Sequence, residues 1–343
     1  MNEIGDGIQT ARSAADQQIN QDVINLNSDL KLVADLNERI ARLNGSDVDV
    51  AALQDQRQAV VDRIALTIPV QEAERQGGQI ALFTSGGAVL LDGTKPASFA
   101  FAPAFPVTAD MSVGAGNLGS LFYNGKPVDP SRMDMFGRGS LAASFTIRDQ
   151  LAPELQREMD ALALDLHDRL ADASVDTTLG PGAPALFNDA GIPATVANLP
   201  GLSSRLRLND DVNPMKGGSV RKIRDGLGAV TAGPSGDSAL LTRISGSLDR
   251  ARTMSASDAF AGSAKMETFI AQAEARVATR RVGADSDTSA SSARTTTLRT
   301  RLMADGVDTD AELSRLLAFE QAYAANAKVI QTVGDMLNAI LRM

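Results

Sequence analysis

Residues 19–45 read INQDVINLNSDLKLVADLNERIARLNG, and their spacing sets the architecture of the chain. Val23, Leu26, Leu30, Val33 and Ile40 recur at intervals of three and four, with Asn37 in the one polar slot and Ile19 and Leu43 nearby. That period lines apolar side chains along one face of a helix and predicts a first helical segment over 8–43. Asn44-Gly45 supplies the usual C-terminal stop. Ser46 and Asp47 then cap a second helix over about 47–66, carrying Val50, Leu53, Val60, Val61 and Ile64. So short a connection predicts an antiparallel pair.

At Pro69 the texture changes. VQEAER, Gly77-Gly78 and QIALFTS form a hairpin pattern, and Ser85-Gly86-Gly87 turns into AVLLDG. SFAFAP and LFYNGKPVD follow, the latter around an Asn124-Gly125 turn. A Leu-rich helical pattern returns over 140–173, where Pro153 marks a break or a new first turn. Residues 174–236 are loop-rich. Helices are expected over 237–253 and 256–281, and the polar run GADSDTSASSARTTT (283–297) reads as a surface loop.

The tail is LSRLLAFEQAYAANAKVIQTVGDMLNAILRM, residues 313–343. Leu313, Leu316, Tyr323, Ala327, Ile330, Leu337 and Leu341 share one three-four repeat, and Leu317, Phe319, Val333, Met336 and Ile340 widen it. A helix over this run would be roughly 45–50 Å long. A terminal rod with one apolar side needs a surface to lie against, and subunit packing is the expected use. The candidate interface is Leu313, Leu316, Leu317, Phe319, Tyr323, Ala327, Ile330, Val333, Leu337, Ile340 and Leu341.

The fold class that results is mainly α with a β-rich insert. Long helices from both chain ends pack in antiparallel, coiled-coil fashion, with a small irregular β domain between them. Expected boundaries are 1–67 for the helical pair, 68–137 for the β-rich insert, 138–297 for a helical domain with long loops, and 298–343 for the C-terminal amphipathic helix.

Composition excludes several classes. The chain carries 42 acidic against 33 basic side chains, a net charge of −9, with no basic face for nucleic acid. Its densest basic cluster, Arg221, Lys222 and Arg224, reads as solvated surface. There are no cysteines, so disulfides and thiolate sites are excluded. No apolar run is long enough to cross a membrane, and the N-terminus lacks the basic and apolar regions of a Sec signal peptide.

No constellation supports catalysis, a metal or a cofactor. Gly114 to Gly119 matches GxGxxG, but the SLFYNGKP that follows cannot begin the helix a pyrophosphate needs, so a glycine-rich loop is expected. His167 is the only histidine. Adjacent helix positions aim about 100° apart, so His167 and Asp168 form no dyad, and a helix-surface histidine is expected. Asp285 to Ser289 opens like a calcium loop but has Ala290 and Thr296 where Gly and Glu are needed. Asp210-Asp211 and Glu154/Glu158 read as solvated acidic pairs.

The tail closely resembles the C-terminal segment of flagellar axial proteins, most specifically in FEQAYAANAKVIQTV (319–333) and DMLNAIL (335–341). The helical pair, with LQDQRQAVVDRIA (53–65), SGGAVLLDG (85–93) and GRGSLAASFTIRDQLAPELQREMDALA (137–163), resembles the family of hook-associated protein 1, the hook–filament junction proteins. The match covers most of the chain and is weakest over 174–300. The resemblance implies a non-enzymatic structural component of the bacterial flagellum, exported by the flagellar type III route. It implies self-association into a ring-like layer between the hook protein and the next hook-associated junction protein, and an export chaperone on the C-terminal helix. It puts the family's N-terminal amphipathic segment, which pairs with the rod and bears the export signal, upstream of Met1. Two other readings stay open at this point: a secreted coiled-coil adhesin- or effector-like binding module, and a related hook-type axial protein.

Overall fold

The structure is a computed structural model that describes residues 1–44, 50–255 and 260–305, together with Leu317, Glu320 and Gln321. It forms two compact units, 1–273 and 274–343.

Helix α1, Asn2–Leu43, is the spine of the first unit. Its stripe continues N-terminally past the expected start at residue 8 and buries Ile8, Ile19, Val23, Leu26, Leu30, Val33, Leu36 and Ile40. Gly5 does not interrupt it. That glycine is where the helix meets residues 203–204, and a Cβ there would collide with the Ser204 hydroxyl. Helix α2, Ala51–Thr67, packs Val60, Val61 and Ile64 onto α1. Arg57 reaches Asn37 at 2.9 Å and Arg63 reaches Asp29 at 2.6 Å, so the pair is antiparallel, as expected. The expected caps Ser46 and Asp47 lie outside the described residues.

Seven short strands follow. β1 (Val70–Glu74), β2 (Ile80–Thr84), β3 (Val89–Asp92) and β4 (Lys95–Pro96) form an antiparallel meander, with Val70 opposite Thr84 and Glu74 opposite Ile80. β5 (Phe99–Ala100), β6 (Phe122–Tyr123) and β7 (Lys126–Pro127) form a second small sheet. Its turn needs Asn124 and Gly125 at φ 50° and 75°, a geometry that Asn-Gly adopts readily. Leu82, Leu90, Leu91, Phe99 and Leu121 share one core with the stripe of α1 and α2.

Two asparagines of α1 dock these strands. Asn27 donates to the Phe99 carbonyl at 2.8 Å and accepts from its N–H at 2.9 Å. Asn37 donates to Ile80 O and Gly93 O at 2.8 and 2.7 Å and accepts from Ile80 N at 3.2 Å. The polar slot in the stripe is therefore a buried amide that completes two strand ends.

The expected helix over 140–173 is α3 (Ser140–Thr146), a π-turn (Ile147–Leu151) and α4 (Ala152–Ala171). Pro153 sits in the first turn of α4. The wide turn before it makes room for the ring. Residues 174–236 are loops with three 3-10 turns and four other short elements: β8 (Phe187–Asp189), α5 (Leu202–Arg205), β9 (Leu206–Leu208) and α6 (Lys222–Asp225). Then come α7 (Ala239–Asp249), a ribbon of β10 (Arg252–Thr253) and β11 (Ser263–Ala264), and α8 (Met266–Asp305). Met266, Phe269 and Ala273, at the start of α8, bury against Ile8, Met159 and Leu162.

Two expectations are corrected here. Residues 263–264 are strand, so the helix begins at 266 rather than 256. Residues 283–297 belong to α8 and are not a loop. Their hydroxyls satisfy themselves on the helix: Thr288, Ser289, Thr295, Thr296 and Thr297 each donate to the carbonyl four residues back, at 2.8–3.0 Å.

Buried polar clusters and the candidate assembly surface

The first unit holds its loops through charges placed inside it. Extending the α1 stripe toward the N-terminus lands on Asp16 and Arg12, which are 0% and 2% exposed. The π-turn presents Arg148, also 0% exposed. Arg148 donates to Asp16 at 2.6 Å, to both Asp149 oxygens at 2.8 and 2.9 Å, and to Gly119 O at 2.9 Å. Its guanidinium also lies over the Phe145 and Phe101 rings, at 4.9 and 5.4 Å. Burial works against its charge, but hydrogen bonds to Asp149 and Asp16 carry its pKa above the ordinary arginine value.

Arg12 solves a problem that Pro153 creates. The Ala152 N–H bonds to Ile147 O, and residue 153 has no N–H, so the Arg148 carbonyl lacks a helical donor. Arg12 Nε supplies one at 3.1 Å. Its other nitrogens donate to Thr108 O and Met111 O at 2.9 and 2.8 Å. Burial pushes the Arg12 pKa below its ordinary value, and Asp149 opposes that shift.

A second cluster lies on α4. Arg169 donates to Asp165 at 2.6 Å, Ser247 O at 3.0 Å, Arg250 O at 2.6 Å and Ala264 O at 3.0 Å. One guanidinium thus joins α4, the end of α7 and the β10–β11 ribbon. In a third, Asp160 accepts from the backbone N–H groups of Gly201 and Ser203, both at 2.8 Å, and so caps α5.

Local spacing did not point to these groups, because the partners that tie one element to another are distant in sequence. Arg12, Asp16 and Asn37 do carry a signal, namely polar side chains in register with an apolar stripe.

The sequence-derived chemical candidates stay apart. His167 is buried and bonds through Nδ1 to Phe187 O at 2.7 Å, which corrects the surface expectation. Asp168 pairs instead with Arg252 at 2.9 Å and Ser255 at 2.8 Å. Glu158 is likewise buried, not solvated. Residues 114–119 lie in the loop between β5 and β6, with no helix following. Asp285 is part of α8. Asp210 and Asp211 pair with Lys216 and Lys222, both at 2.9 Å. Arg221 and Arg224 converge on Asp225, at 3.5 and 2.7 Å. The Arg224 hydrogen bond does most to lower Asp225 to about 2. Among the described residues no group of His, Asp and Glu could hold a metal ion, and no helix is long and apolar enough to cross a membrane.

Of the candidate interface residues, Leu317 is helical and half exposed. Leu313, Leu316, Phe319, Tyr323, Ala327, Ile330, Val333, Leu337, Ile340 and Leu341 lie outside the described residues. In α8, residues 277–302 are all exposed, among them Val277, Val282, Leu298 and Leu302.

The described residues thus form a long-helix scaffold tied internally by buried charges, followed by an exposed helical run. The chain matches the flagellar hook-associated protein FlgK helical domain over residues 1–175 and the flagellar basal body rod FlgEFG protein C-terminal family over 301–343. It belongs to the FlgK family of flagellar hook-associated proteins. No curated protein matches it by sequence. The flagellar hook junction protein FlgK from Burkholderia pseudomallei is similar at 20% identity and a TM-score of 0.44, over 55% of this chain and 33% of that one. The chain therefore spans about a third of that protein's length.

Proposed function

We propose that this chain is a structural component of the bacterial flagellum that joins hook to filament by helix packing between subunits. The observation that carries the reading is the pairing of a hook-associated helical domain at one end with an axial C-terminal segment at the other. In this proposal the 298–343 rod lines the inner tube, the helices of 1–67 and 138–297 form the shell around it, and the strands of 68–137 face outward. Copies form a ring-like layer, with the hook protein below and the next hook-associated junction protein above. Export uses the flagellar type III route, and a chaperone holds the apolar C-terminal face until assembly. The work is packing rather than catalysis.

Leu316→Asp and Ile330→Asp test the rod. Each puts a charge into its proposed apolar seam, where an unpaired carboxylate carries a large desolvation penalty. The expected result is loss of filament attachment, scored by motility and electron microscopy, with the strand region still folded. Normal filaments in both variants would remove the rod from the mechanism.

A further inference from the structure

Between β5 and β6 the chain runs for about twenty residues with no regular structure; Phe101 and Leu121 anchor its two ends in the core, and between them only Val107 and Leu118 are buried. So little apolar burial cannot fix a loop of this length. Polar ties to one place fix it instead. Ala104 N donates to Asp16 at 2.7 Å, and Val107 N donates to Ser13 Oγ at 3.2 Å. Thr108 O and Met111 O accept from Arg12, and Gly119 O accepts from Arg148. All five ties end on a single stretch of α1 or on the π-turn beside it. The base of the loop is closed separately, by Phe99 opposite Tyr123 and Ala100 opposite Phe122.

We propose that residues 102–119 form a latched strap that opens as one unit when the Arg12–Asp16–Arg148 cluster lets go, while the helices, the β5–β6 pairing and the core anchors Phe101 and Leu121 stay in place. The closed strap keeps water off the cluster, so the Asp16–Arg148 attraction is strongest when it is shut. Opening wets that pair and frees all five ties together, which makes the motion two-state rather than gradual fraying. Gly119 marks the neck of the strap. A Cβ there would collide with the carbonyl of Ala102 on the opposite leg, so a side chain at 119 forces the legs apart.

Hydrogen exchange by mass spectrometry, on the whole chain, reads this directly. In low denaturant, the amides of Ala104 and Val107 should exchange through a shared opening well before those of α1 and α2. Arg12→Met and Gly119→Ala should each speed exchange over 102–119 at least tenfold, with α2 and the β1–β2 hairpin unchanged. If the strap amides of the unsubstituted chain exchange only together with α1 and α2, the strap is not a separate unit and the proposal falls. It also falls if a folded variant leaves the strap rates as they were or speeds the whole unit equally.

Discussion

Residues 1–273 and the α8 segment beyond 274 satisfy their polar groups in opposite ways. In the first region, side chains reach across the sequence: Arg12 to Arg148, Asn37 to Ile80, Arg169 to Ala264. In the second, hydroxyls turn back onto their own helix, as Thr300 does on Thr296 O at 3.0 Å. A bond between distant residues specifies one tertiary arrangement, because breaking it strands a buried group. A bond to the carbonyl four residues back specifies only that the helix is a helix. Tertiary order in 1–273 is therefore internal, whereas the exposed run of α8 presents surface.

The sharpest way to break this contrast is Asp16→Leu. It leaves Arg148 without its most buried partner and should cost about 3–5 kcal/mol of unfolding free energy in urea titration. The double variant Asp16→Leu/Arg148→Met should recover much of that loss, because neither member of that pair is then left buried without the other. If the single change is neutral, the buried ties do not organise the unit. Asn37→Ala comes next. It strands Ile80 N, Ile80 O and Gly93 O under the meander and should cost about 2–3 kcal/mol. The equivalent stability loss should be absent when exposed Asn25 is replaced.

Period-based reading recovered the elements whose signal is local. The α1–α2 pair, the β1–β2 hairpin and the Asn124-Gly125 turn all lie where apolar spacing and turn chemistry put them. It failed at 283–297, where Ser, Thr and Asp outnumber apolar residues and composition resembles a linker. That run is helical because it holds alanines and no proline while its hydroxyls are satisfied on the helix itself, and none of this produces an apolar period. The buried clusters were hidden for another reason. Arg12 and Arg148 are 136 residues apart, and a charge looks solvated until its partner is known. Arg12, Asp16 and Asn37 were nonetheless visible as polar interruptions in register with the stripe. The fold was thus legible in its elements, while the contacts that tie them were legible only as anomalies. The tail interface rests on the sequence pattern itself.

The α8 side of the contrast makes a prediction of the opposite sign. Replacing Thr295, Thr296 and Thr297 with Ala removes three back-bonded hydroxyls, yet alanine is the better helix former. The triple variant should stabilise the helix by about 1–2 kcal/mol in total, seen as higher melting of the far-UV signal, and should leave the unfolding of 1–273 unchanged. A loss of stability in the first unit would show that these residues take part in its tertiary order after all.

The smallest effect is expected where the two modes meet in one loop, at Asp225. Its carboxylate takes local bonds from Arg221 and Arg224 and accepts from the Gly233 N–H at 3.2 Å, eight residues on. The Arg224 bond is the main reason it titrates at about 2 instead of its ordinary 3.8. A carboxylate with a lowered folded-state pKa adds stability above its unfolded value and loses it as pH falls through the folded one. The tie between 225 and 233 should therefore hold down to about pH 4 and weaken between about pH 4 and 2. Once intrinsic exchange is corrected for pH, protection of the Gly233 amide should fall in that window, and Asp225→Asn should flatten the response. Unchanged protection at pH 2 would mean that the loop is held by its surrounding backbone and not by this carboxylate.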